Sequence, residues 1–119
     1  MTFRVLLVED DRVQLDLYTE ALEMLGYETT GVMYGDIAVE TLRQLAPDLL
    51  VLDMNLPRVN GEEIIRFVRS SAHLSNVKII AMTVDPHWED TEAAKYADLF
   101  LMKPLNIMEL QQWAQRLLN

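Results

Sequence analysis

Five short apolar runs alternate with five helix-patterned stretches along this 119-residue chain. That alternation leaves few folds open: parallel strands joined by right-handed helical crossovers, with helices covering both faces of the sheet. Phe3–Val8 is a continuous apolar run with enough β-branching for a buried strand. Asp11 then caps a helix with Gln14 as capping-box partner, with Leu15, Tyr18, Leu22 and Leu25 on one face and Gly26 at its end. Tyr27–Val32 is more polar and reads as a strand near an edge. Asp36 opens a second helix with Ile37, Leu42 and Leu45 inward, stopped by Pro47. Asp48–Asp53 is the third strand, and Asn60 with Glu63 starts a third helix with the stripe Ile64, Ile65 and Val68. Val77–Met82 is the fourth strand, ending at Thr83. Asp85-Pro86 predicts the cap and first position of a short fourth helix, whose positive end Glu89 and Asp90 favour. Ala97–Met102 is the fifth strand, and Asn106 with Glu109 opens a last helix facing inward through Leu110, Trp113, Ala114 and Leu117.

In such a sheet the strand ends share one edge, and ligands bind beyond the carboxyl ends of the strands. The first apolar run ends in Glu9-Asp10-Asp11, the third in Asp53 and the fifth in Lys103-Pro104. Neighbouring carboxylates repel one another and cost stability unless something positive sits among them. Asp11 is the natural helix cap, which leaves Glu9 and Asp10 for another task.

Composition removes several function classes. The length suits one domain with one core, and the reading is a single unit over residues 1–119 with no output domain following. A net charge of −9 with scattered basic residues lacks the footprint for direct nucleic-acid binding. No cysteine is present, so neither a disulfide framework nor a thiolate metal site exists. No run is long enough to span a membrane and no signal peptide opens the chain; the expectation is a cytoplasmic protein.

The residue types at the strand ends fit phosphoryl transfer to a carboxylate. A hard cation, Mg²⁺ or in its place Mn²⁺, prefers oxygen ligands and is commonly held by one or two carboxylates plus phosphate. Asp10 is the expected direct ligand, with Glu9 acting through water or as a second carboxylate. Asp53 is the expected nucleophile, forming an acyl phosphate. The cation and the Lys103 ammonium would neutralise charge on the phosphoryl oxygens, and Thr83 would donate its hydroxyl to one of them.

Together, Glu9-Asp10, Asp53-Met54-Asn55-Leu56-Pro57 with Gly61, Thr83 and Lys103-Pro104 resemble the receiver domain of bacterial two-component response regulators. Each fragment alone is weak; at these spacings and strand ends they are strong, and they cover the whole chain. The resemblance implies a doubly wound (βα)5 three-layer sandwich, flavodoxin-like, with a five-stranded parallel sheet in the order 2-1-3-4-5. It implies that Asp53 accepts phosphate from the phosphohistidine of a histidine kinase or phosphotransfer protein, and that the protein catalyses only its own phosphorylation and dephosphorylation. It also implies that the Asn55 backbone carbonyl joins the metal and that Lys103-Pro104 is cis. Thr83 and Phe100 are the implied switch pair, acting on the face of the fourth helix, fifth strand and fifth helix. That face would bind a downstream protein or a second copy.

The segment between Thr83 and Lys103 departs from the family pattern. Val84 stands where a small residue is usual, Tyr96 where a glycine is usual, Phe100 where a tyrosine is familiar, and the span is slightly short. These departures support a second reading, a receiver-fold interaction module that phosphorylation does not switch. A third, a phosphohydrolase of the haloacid dehalogenase type, needs Asp-x-Asp after the first strand and a substrate-capping insertion. The chain has Glu9-Asp10-Asp11 there and no such insertion. Trp88 and Trp113 read as packing residues, with Trp88 close enough in sequence to the site to report on it.

Overall fold

The computed structural model describes residues 2–119. Its five strands are β1 (Arg4–Val8), β2 (Glu28–Val32), β3 (Leu49–Asp53), β4 (Lys78–Thr83) and β5 (Leu99–Met102). They form one sheet in the order β2-β1-β3-β4-β5, and every pair is parallel. The helices are α1 (Arg12–Glu23), α2 (Gly35–Gln44), α3 (Gly61–Arg69) and α4 (Ile107–Leu118). The polar Glu28–Val32 run is indeed an edge strand, since only a central strand must hide both faces.

Side chains alternate across the sheet and divide the core in two. Leu6, Val8, Leu50, Leu52, Ile79 and Ala81 pack against α2 and α3, meeting Ala38, Leu42, Ile64, Ile65 and Val68. Val5, Leu7, Leu49, Val51, Ile80 and Met82 pack against α1 and α4, meeting Leu15, Tyr18, Leu22, Leu110 and Ala114. Asp11, Asn60 and Asn106 each accept from the backbone N–H three residues on, as their cap patterns predict. The Asp11 box is closed differently from the expected one. The Asp11 amide donates to Glu9 Oε2, while Gln14 Oε1 accepts from the Tyr18 hydroxyl.

Two further expectations are corrected. In α2 the inward residues are Ala38 and Leu42, whereas Ile37 and Leu45 are exposed; the helix starts at Gly35, after Tyr34, with no side-chain cap. Asp36 lies in its first turn and pairs with Arg58 instead. The fourth helix is not an α-helix but two 3₁₀ segments, Pro86–Asp90 and Glu92–Tyr96. Asp85 caps the first as predicted, accepting from the His87 amide. Thr91 then breaks the run: its hydroxyl donates to the Trp88 carbonyl at 2.7 Å, the acceptor a continuing α-helix would give to Glu92. Ala93 is the single buried residue of the two segments, so no apolar stripe pulls them into a longer helix.

Candidate functional site: a carboxylate cluster at the strand ends

Strand register assembles the site. Val8 pairs with Leu52, so the residues that follow, Glu9 and Asp53, emerge side by side from the centre of the sheet. Thr83 pairs with Met102, which brings Lys103 to the same edge. Each run is apolar up to its last residue because both faces are covered there; the polar groups begin where the cover ends.

The Lys103 ammonium reaches under the cluster, 2.6 Å from Glu9 Oε1 and 3.1 Å from Asp53 Oδ2. The Lys103-Pro104 peptide is cis, in agreement with the resemblance. Asp53 Oδ1 accepts from the Asn55 amide at 2.9 Å, which fixes the carboxylate on both sides. Glu9 is wholly buried and Asp53 is 4% exposed, while Asp10 lies exposed at the rim. Carboxylate oxygens of Glu9, Asp10 and Asp53 lie within 4.8 Å of one another. An all-oxygen, triply acidic set with an open side fits a hard divalent cation of the Mg²⁺ class.

Burial pushes the Glu9 carboxyl up to about 7, against the opposing pull of the Lys103 and Asp11 hydrogen bonds, and the nearby Asp53 charge adds to the rise. Burial works against the charge on Lys103, but the Glu9 hydrogen bond and the Asp53 charge outweigh it and raise its pKa. The cluster thus holds more negative charge than one ammonium balances.

Thr83 is buried, and its hydroxyl donates to Asn55 Oδ1 and accepts from the Asp85 amide, both at 2.9 Å. Phe100 stands opposite Ala81 on the face of the sheet that Thr83 also faces, half-buried against the α2–α3 core. Val84 is exposed, pointing away from the packed interior. All seven expected site residues therefore reach one sheet edge or, for Phe100, the strand position just below it.

Two neighbours were not legible as site residues. Tyr18 shares the buried stripe of α1, yet burial raises its pKa and the charges of Lys103, Glu9 and Asp53 act on it. Helical spacing alone marked it as core. Arg58 adopts φ +65° in the loop after Asp53, with its guanidinium 5.2 Å from the Tyr34 ring. No local sequence signal marks an arginine for the left-handed region.

The family comparison matches residues 5–115 to the response regulator receiver domain. Among curated proteins, the chain is 29% identical over 109 residues to the polar-differentiation response regulator DivK of Brucella ovis, covering 90% of this chain and 89% of that one. Among solved structures, it resembles the receiver domain of a sensor histidine kinase of Pseudomonas aeruginosa PAO1, crystallised with a magnesium ion in its active-site cleft. That match has a TM-score of 0.89 and 29% identity, covering 99% of this chain and 98% of that one. It also resembles the response regulator TrrA of Thermotoga maritima in complex with Mg²⁺ and BeF, with a TM-score of 0.88 and 28% identity over 98% of this chain and 99% of that one. With the parallel β2-β1-β3-β4-β5 sheet and the acid–lysine cluster at its edge, the chain belongs to the response regulator receiver domains.

Proposed function

We propose that this receiver accepts a phosphoryl group on Asp53 from the phosphohistidine of a histidine kinase or phosphotransfer protein. The observation that carries the reading is the fixed Asp53 carboxylate, held by Lys103 and the Asn55 amide beside Asp10 at the open rim. Asp10, Asp53 and the Asn55 carbonyl would hold Mg²⁺, which when bound offsets the negative charge on the phosphoryl oxygens. Glu9 lies deepest, with both oxygens already engaged by the Asp11 amide and Lys103, and would reach such an ion through water. An Asp53 oxygen forms the P–O bond as the P–N bond breaks, and the imidazole nitrogen leaves with the electron pair. Lys103 stays within reach of the transferred group and neutralises one of its oxygens.

The Thr83 hydroxyl leaves Asn55 Oδ1 and donates to a phosphoryl oxygen. Space then opens for the Phe100 ring to turn inward, shifting the population of the surface made by the two 3₁₀ segments, β5 and α4. That surface binds a downstream protein or a second copy. The protein turns over no substrate beyond its own aspartyl phosphate, and a cytoplasmic location accompanies this reading.

The test is intact mass after incubation with Mg²⁺ and phosphoramidate. The parent gains one phosphoryl group and Asp53→Asn gains none; equal gain by both would remove Asp53 as acceptor. A receiver used as an unswitched interaction module is favoured by one observation, the 3₁₀ pair with its single buried residue in place of a packed helix. Partner binding or self-association that is unchanged by beryllofluoride would support that second reading.

A further inference from the structure

Asp10, Met54, Asn55, Leu56, Pro57, Asn60 and Trp88 line a groove of about 460 Å³ that opens at the rim of the carboxylate cluster. Two of these residues, Asp10 and Asn55, belong to the acceptor site itself, so the groove is continuous with the place where the donor's phosphorus must sit. Its far wall is the Trp88 indole, half-buried against the core. Trp88 is held in place by its turn: its amide donates to the Asp85 carbonyl, and its carbonyl accepts from both the amide and the hydroxyl of Thr91. Leu56 and Pro57 supply apolar surface beside it.

Asp53 is almost fully covered, and Glu9 and Lys103 close the site from below. A donor therefore enters from the open side, and its leaving group stays outside, over this groove. Resting on the acceptor reading, we propose that Trp88 is a specificity residue that binds the departing imidazole ring of the phosphohistidine. A flat aromatic ring gains contact area on an indole face and a proline ring. The ring of an N-phosphoimidazole protonated on its second nitrogen also carries a positive charge, which suits the negative face of an indole and the Asp10 carboxylate at the lip. In the step itself the P–O bond to Asp53 forms as the P–N bond breaks. The electron pair stays on nitrogen, and the protonated ring departs as neutral imidazole.

The experiment compares two P–N donors, monophosphoimidazole and phosphoramidate, whose leaving groups differ in having a ring or none. Phosphorylation rates with Mg²⁺ are measured by mass for the parent, Trp88→Phe and Trp88→Leu. Leucine keeps apolar packing without a π face, so a folding defect and a stacking defect separate. The rate ratio of imidazole donor to phosphoramidate falls about fivefold in Trp88→Leu, the equivalent of a contact of about 1 kcal/mol, and stays near the parent's in Trp88→Phe. An unchanged ratio in Trp88→Leu overturns the proposal. A second readout needs no transfer. In Trp113→Phe, which leaves Trp88 as the one tryptophan, the indole N–H resonance shifts on titration with imidazole. A resonance that does not move also overturns the proposal. If imidazole shifts the resonance but the parent takes phosphate from neither donor, the ring contact stands and the acceptor reading falls.

Discussion

A carboxylate buried as deeply as Glu9 favours its protonated form, and the Lys103 ammonium and the Asp11 amide are what hold charge on it. Its pKa of about 7 in the fold lies above the ordinary value of 4.5. The stabilising contribution is therefore complete below about 4.5 and is lost as pH rises through 7, a loss on the order of 3 kcal/mol. Lys103 is raised as well, so its contribution holds below its ordinary value near 10.5 and does not enter this window. Urea melts of metal-free protein check the sign. Between pH 5 and pH 8 the parent loses stability relative to Glu9→Gln, which has no charge to bury. A constant difference across that range would contradict the assignment. The same substitution weakens stabilisation by Mg²⁺, because the charge that destabilises the empty cluster is the charge that attracts the ion.

At the scale of elements, the caps Asp11, Asn60 and Asn106 and the apolar stripes of α1, α3 and α4 were readable because they act within one turn of their own helix, whereas the cap and stripe expected for α2 were not those observed. The stretch after Thr83 was not. Pro86, Glu89 and Asp90 follow helix-start rules, yet Thr91 diverts the Trp88 carbonyl and no stripe repays a longer helix. What fixes this stretch comes from elsewhere in the chain. Arg69, at the end of α3, donates to the carbonyls of Tyr96 and Val77 and pairs with Asp98 at 3.1 Å. Arg69→Met is expected to cost about 2 kcal/mol and to speed amide exchange in residues 92–98 over that in β1 and β3. Uniform acceleration would show that the arginine supports the whole fold instead. Gly61 is a second contact between elements: a Cβ there would lie 2.6 Å from Met54 Cα. Gly61→Ala should cost about 1–3 kcal/mol by denaturant melt and weaken Mg²⁺ binding, since it displaces the loop that carries Asn55.

For the whole molecule, three strand ends must meet, so anything bound between them binds only the folded chain. Mg²⁺ at a hundred times its dissociation constant should add about 2.7 kcal/mol of stability, read as a rise in Tm. Asp10→Asn should lose most of that rise while keeping the metal-free fold, because its carboxylate is exposed. Retention of the full rise would take Asp10 out of the metal site. The parallel layered architecture, the polar edge position of Tyr27–Val32 and the acidic and basic strand ends were all determined by the order of apolar runs and the residues that stop them. Those are local facts, since burial on both faces of a parallel sheet demands continuous apolar strands. Only the tertiary structure decided that Ala38 rather than Ile37 faces inward, that Thr83 rests on Asn55, that Glu9 is buried enough to resist ionisation, and that the residues after Thr83 form two 3₁₀ turns. Each of these depends on groups far apart in the chain that meet only when the strands pair, and local spacing carries no record of them.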